Sequence, residues 1–272
     1  MNKSLFKSLL VAGAFAASAN AQASLNLGGI LVDPGFHIEV ASLYENPVFA
    51  VGDILSGYGQ VAQINGSANF CAGGLGACEL TYRFGGYNVS AISSTSVSFT
   101  GGWVNFYVGT GATLDFNPYT SASSAADIAA ATNGSLWLTL AGHPNSVNTL
   151  VGNGANIGTG NDIGFGGGLL DVDLTGLLNG NIAGAGAVAN PNFNTNSQPD
   201  LSGGFADIQL SSSFGTGVMP HPDECSAGIL TSCLPGSATV KGEVIPEPAS
   251  LALMGVGLLV GGLVSRRRKQ AK

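Results

Sequence analysis

The chain has 272 residues, with nine Lys or Arg against sixteen Asp or Glu, 42 glycines and four cysteines. Between residues 24 and 245 the balance is far more acidic: only Arg83 and Lys241 are basic against fifteen acids, a net charge near −13. Such a surface repels phosphate backbones, which proteins grip with Lys and Arg, so nucleic-acid binding is excluded.

The first 23 residues do not read as folded protein. Lys3 and Lys7 precede the apolar run Leu9–Ala17, and Ala21-Gln22-Ala23 closes the segment. This is the order of a secretory signal: a basic start, a short apolar stretch, and small residues at Ala21 and Ala23 where signal peptidase reads. The run is too short to serve as a lasting membrane span. Residues 1–23 are therefore expected to be a signal peptide that engages the Sec export machinery.

Residues 24–245 form one stretch of a length that a single all-β domain can fill. Period-two alternation, Gly/Asn/Pro punctuation and β-branched or aromatic runs predict strands at 36–42, 58–65, 79–89, 96–108, 135–140, 168–174, 204–214 and 237–244. Asn65-Gly66 is a turn dipeptide. In 79–89, Leu80, Tyr82 and Phe84 share one face, and Arg83 points to the other. Ser123–Ala131 predicts a helix, with Ser or Thr as cap and Asn133-Gly134 as stop. Residues 151–203 are Gly/Asn-rich and poor in pattern around the 168–174 strand. The fold class is all-β: a single β-sandwich-like or β-rich extracytoplasmic domain with Gly/Asn-rich loops.

The cysteines lie as two close pairs, Cys71/Cys78 and Cys225/Cys233. An even count in an exported chain favours disulfides. Neither pair has CxxC spacing. Three connectivities are possible, and local pairing is the expectation. One strand is expected to end near Cys71 and the next to begin near Cys78.

Chemistry-bearing motifs are sparse. His37, His143 and His221 are scattered, and neither an HExxH run nor a nucleophile elbow occurs. No catalytic residue, metal site or cofactor is expected. Gly158–Gly164 matches one turn of a calcium-binding nonapeptide repeat, but the next acid, Asp171, arrives one place early, so a plain turn is the reading. Asp171 and Asp173 would share a strand face, either solvated or the start of an oxygen-ligand site. His221, Asp223 and Glu224 before Cys225 read as a polar loop. Trp103, Tyr107, Tyr58, Tyr82 and Tyr87 belong either to the core or to a surface that stacks on sugar rings.

The C-terminal end reads Val244-Ile245-Pro246-Glu247-Pro248-Ala249-Ser250, then an apolar stretch, then Arg266-Arg267-Arg268-Lys269. Ala249 to Val264 is long enough for a helix of roughly 24 Å, short for a bilayer but within reach if basic residues snorkel. The basic cluster marks the cytoplasmic side, and Pro246 and Pro248 hold the preceding segment extended. Residues 246–272, with Pro246, Glu247, Pro248, the transmembrane helix and the basic stop, resemble the PEP-CTERM sorting signal of Gram-negative bacteria. That resemblance implies processing by the membrane protease exosortase and transient or lasting inner-membrane anchoring.

Four segments of the body are similar to the flocculation-associated PEP-CTERM proteins: Gly52–Val61, Gly101–Tyr107, Asn192–Asn196 and Ala206–Phe214. This resemblance implies a role in cell aggregation with exopolysaccharide. The expected function is thus that of an exported, non-enzymatic protein of the cell surface, outer membrane or extracellular matrix. The alternatives are a secreted carbohydrate-binding module and a secreted hydrolase of unrecognised type.

Overall fold

The computed structural model describes residues 24–183, 187–222, 224 and 234–245. The predicted signal peptide, with Ala21 and Ala23, lies outside these residues. So do Cys225, Cys233 and the tail with Pro246, Glu247, Pro248, Arg266, Arg267, Arg268 and Lys269.

In chain order the elements are β1 (Leu25–Leu27), β2 (Ile30–Val32), β3 (His37–Glu45), β4 (Ile54–Ile64), β5 (Glu79–Ile92), β6 (Ser96–Gly109), α1 (Ser124–Ala131) and β7 (Ser135–His143). Then follow β8 (Leu150–Ala155), β9 (Ile163–Val172), α2 (Asn190–Phe193), β10 (Gln198–Pro199), β11 (Phe205–Ala206), β12 (Ile208–Phe214) and β13 (Leu234–Gly242).

The long strands are joined as a meander that closes on itself. Antiparallel pairing runs β3–β4–β5–β6–β7–β9, β9 also pairs with β12, and β13 pairs with both β12 and β3. β7 and β8 share one position in the ring. β6 pairs with β8 through Ser96–Phe99 and with β7 through Trp103–Val108, and β9 likewise meets β8 first and β7 afterwards. The result is a closed antiparallel barrel of eight staves in up-and-down order. The expected β-rich domain is therefore a barrel rather than two facing sheets. Register shifts in the β13–β3, β3–β4, β4–β5, β5–β6 and β6–β7 pairings supply the local bends a closed sheet requires.

Alternation changes phase midway along β5 and β6. On β5 the buried rings are Tyr82 and Phe84, then Tyr87; on β6 they are Phe99, then Phe106, with Val97 and Val104 on the same inner face. The switch falls where both strands carry paired glycines, Gly85-Gly86 and Gly101-Gly102. Gly102 has φ +91°, and a Cβ there would lie 2.2 Å from the Tyr87 ring. Only glycine combines that backbone with that contact.

One end of the barrel is plugged. The β1–β2 hairpin buries Leu27, Ile30 and Val32 beneath Phe36, Trp137 and Phe193. The Phe36 and Phe193 ring centroids are 4.4 Å apart, and Trp137 lies 5.7 Å from Phe193. The Trp137 indole N–H donates to the Leu27 carbonyl at 2.7 Å. Outside the wall, α1 covers Tyr44, Tyr58 and Phe116. Its predicted cap forms: Ser123 Oγ accepts from the Ala126 amide at 3.2 Å.

Some boundaries differ from expectation. β4 ends at Ile64, at the Asn65-Gly66 turn, rather than near Cys71, and Cys71 instead bridges to Ile30 of β2. The Cys71–Cys78 disulfide is present, with Cα atoms 5.7 Å apart, and ties the β4–β5 connection to itself. Asp173 falls beyond the end of β9, so it shares no strand face with Asp171. No helix among the described residues is long and apolar enough to cross a membrane.

Candidate functional site

Of the five aromatics singled out in the sequence, the two that remain accessible lie on the outer face of the β5–β6 stave pair. Tyr58, Tyr82 and Tyr87 are buried, whereas Trp103 and Tyr107 are half-buried on the outside. The Arg83 guanidinium lies 5.9 Å from the Trp103 ring centroid, within cation–π range. Alternation along β5 and β6 puts these three side chains outward together. The indole lies over Gly86, at φ +70°, where a Cβ would approach its edge to 3.1 Å. Beside it, Asn105 and Asn181 exchange two amide hydrogen bonds of 2.9 Å, fixing the loop after β9 against β6. Burial pushes the Tyr107 hydroxyl up in pKa, with Asn105 and Arg83 pulling the other way. This face thus offers two half-buried rings and one cation, suited to packing on apolar C–H surface and to donating hydrogen bonds.

His143 and His221 serve as internal ties, whereas the buried His37 Nε2 has no hydrogen-bond partner among the described residues. His143 Nδ1 meets Asp171 at 2.8 Å and Nε2 meets Asp200 at 2.9 Å. Burial alone would lower the imidazole pKa, but the two carboxylate bonds outweigh it and hold it above the ordinary value. The His143 bond, in turn, holds Asp200 well below the usual carboxylate range. His221 meets Asp127 at 2.9 Å and Ser121 at 3.0 Å, and Tyr58 donates to the same Asp127 at 2.7 Å. Ser121 also donates to Asp127. Serine, histidine and aspartate are thus together, but serine and aspartate both approach the same ring nitrogen, Nε2. A nucleophilic triad needs them on opposite nitrogens. The cluster anchors α1 instead, and Glu224 adds to it by accepting from the Ser124 amide at 3.0 Å. Asp223 lies outside the described residues.

Most other acids clamp turns. Asp173 is fully buried and accepts from the amides of Thr175, Gly176 and Leu178. Asp207 accepts from Val172, Thr195 and Asn196. Asp162, in the suspected calcium-repeat segment, accepts from Thr159 within a turn at Asn156–Gly160. No group of three His, Cys, Asp or Glu able to hold a metal occurs among the described residues.

One feature of the interior had no signal in the sequence. A cavity of about 80 Å³ lies inside the barrel toward the end opposite the plug, lined by Leu43, Phe84, Val97, Phe99 and Leu210 among others, with Glu45, Asp162 and Tyr87. Glu45 is 8 % exposed, and its carboxyl makes no hydrogen bond among the described residues. Burial, then the neighbouring Asp162, push its carboxyl up to about 8.

The family model described as the PEP-CTERM protein-sorting motif matches residues 244–269. No curated protein and no solved structure matches the chain. The molecule is accordingly a β-barrel protein carrying a C-terminal sorting signal. Its C-terminal end carries the PEP-CTERM sorting motif, which marks an exported protein of the Gram-negative type, sorted by exosortase.

Proposed function

We propose that this protein acts at the cell surface or in the extracellular matrix, where it promotes cell aggregation by contact with exopolysaccharide and without catalysis. The observation that carries the reading is the Arg83–Trp103–Tyr107 platform on the outer wall of an exported barrel. Gly101–Tyr107, one of the flocculation-type segments, supplies its two aromatic members, Trp103 and Tyr107. A body with a net charge near −13 repels anionic polymer at long range, so contact depends on short-range stacking and hydrogen bonding.

The test is a clean deletion with separate assays of settling and total exopolysaccharide. The deletion strain disperses while polymer synthesis continues. Wild-type protein restores settling, and Trp103→Ala and Arg83→Ala, exported to equal levels, restore it poorly. Normal settling in the deletion strain overturns the proposal. Loss of polymer together with settling moves the role to synthesis or export. Binding of one defined oligosaccharide on a glycan array, lost in Trp103→Ala, would instead favour a carbohydrate-binding module, which the same platform also suits.

A further inference from the structure

We propose that the barrel interior is a binding site for a small amphiphilic amine, its apolar body held among Phe84, Phe99, Val97 and Leu210 and its protonated nitrogen at Glu45 and Asp162. Barrels of eight strands have interiors that side chains fill or that hold one small ligand, and here a cavity of about 80 Å³ is left. Its walls are apolar, with a few placed polar groups, as ligand cavities are.

Those polar groups are the second observation. Glu45, 8 % exposed as a residue, lines the cavity, and its carboxyl makes no hydrogen bond among the described residues. The Tyr87 hydroxyl on the same cavity is also buried and unpartnered. Buried polar atoms are almost always paired, and an orphan marks a missing partner. Two carboxyls and a phenol oxygen offer acceptors, which an ammonium's three donors satisfy. A carboxylate ligand would face Glu45 and Asp162 with like charge. An alcohol would hydrogen-bond the protonated Glu45 but gain no ion pair.

The groups facing Glu45 can be enumerated. Asp162 raises its pKa, and Tyr82, on β5, senses its charge while donating to the Ser42 carbonyl at 2.6 Å. Tyr87 is the remaining titratable group on the cavity, and the other staves line it with uncharged residues. Glu45 therefore holds a proton at neutral pH when the cavity is empty, and must release it to pair with an ammonium.

The inference does not depend on the aggregation role. It is tested by calorimetric titration of the purified full chain with benzylamine, benzyl alcohol and benzoate at pH 6.5 and 8.5. Benzylamine is expected to bind at least tenfold more tightly than benzyl alcohol, and benzoate not at all. Its affinity rises about tenfold or more between the two pH values, because one pH unit is worth up to tenfold when a single proton is displaced. Proton release appears at pH 6.5 in buffers of differing ionisation enthalpy. Glu45→Gln removes the pH dependence and the preference for the amine. Val97→Phe, which fills the cavity, weakens benzylamine and benzyl alcohol alike. Equal binding of amine and alcohol to the wild type, an unchanged preference in Glu45→Gln, or no binding of any of the three overturns the proposal.

Discussion

Glu45 shows how one buried acid sets the response of the whole barrel to pH. Its folded pKa, about 8, is raised above the ordinary glutamate value by burial and by Asp162. A raised carboxyl binds a proton in the folded state where the unfolded chain has lost it. Its contribution to stability is therefore complete below the ordinary pKa and is lost progressively as pH rises through 8. Glu45→Gln should abolish that slope and stabilise the protein at pH 8 and above by an amount on the order of 4 kcal/mol. Urea unfolding at pH 5 and pH 8.5 checks this: the variant gains only at the higher pH, and a gain equal at both would reject burial of the charge as the cause. Neither Glu45 nor its cavity was legible in the sequence, because a lone Glu at a strand end carries no pattern. Arg83, in contrast, was placed outward by alternation between Tyr82 and Phe84, and its aromatic partner one stave away required the register.

At the scale of elements, alternation located the long staves and missed one for a definable reason. β3 to β6, β12 and β13 have side chains that alternate between core and outside, β7 is buried on both faces from Trp137 to Gly142, and the predicted segments overlap all of these. β8 lay in the stretch read as loose connection. It pairs with β9 so that Leu150, Val151, Gly152 and Gly154 face Gly168, Gly167, Gly166 and Gly164. A strand whose partner residues are glycines leaves no alternating side-chain signal. The paired glycines of β5 and β6 were visible as composition, but their effect, turning both strands over together, needs the pairing of Tyr87 with Gly101. Gly102→Ala should therefore destabilise the protein by about 3 kcal/mol or more, from a displaced Tyr87 ring and a strained positive φ. Thermal unfolding reads this, with Gly29→Ala as comparison: Gly29 also has positive φ but has open space around it. Equal losses would remove the ring contact from the explanation. At α1, Ser123→Ala should cost about 1 kcal/mol through loss of the cap, measured by the same unfolding curves.

For the whole molecule, the sorting signal was legible because it is local text, whereas barrel closure depends on strands almost two hundred residues apart. Protein released from cells should lack Arg266–Lys269 by mass spectrometry. An intact C-terminus on released protein, in cells that contain exosortase, would contradict removal of the tail. The closing strand and the signal also lie next to each other. β13 ends at Gly242, two residues before the matched motif begins, and it is the strand that joins β12 to β3. A chain exported N-terminus first presents its other seven staves before this one. Until β13 arrives, β3 and β12 are bare edges, open to pairing with another chain. Completion of the fold is thereby tied in time to emergence of the sorting address: whatever reaches the protease with a folded body has already been translocated to its last strand.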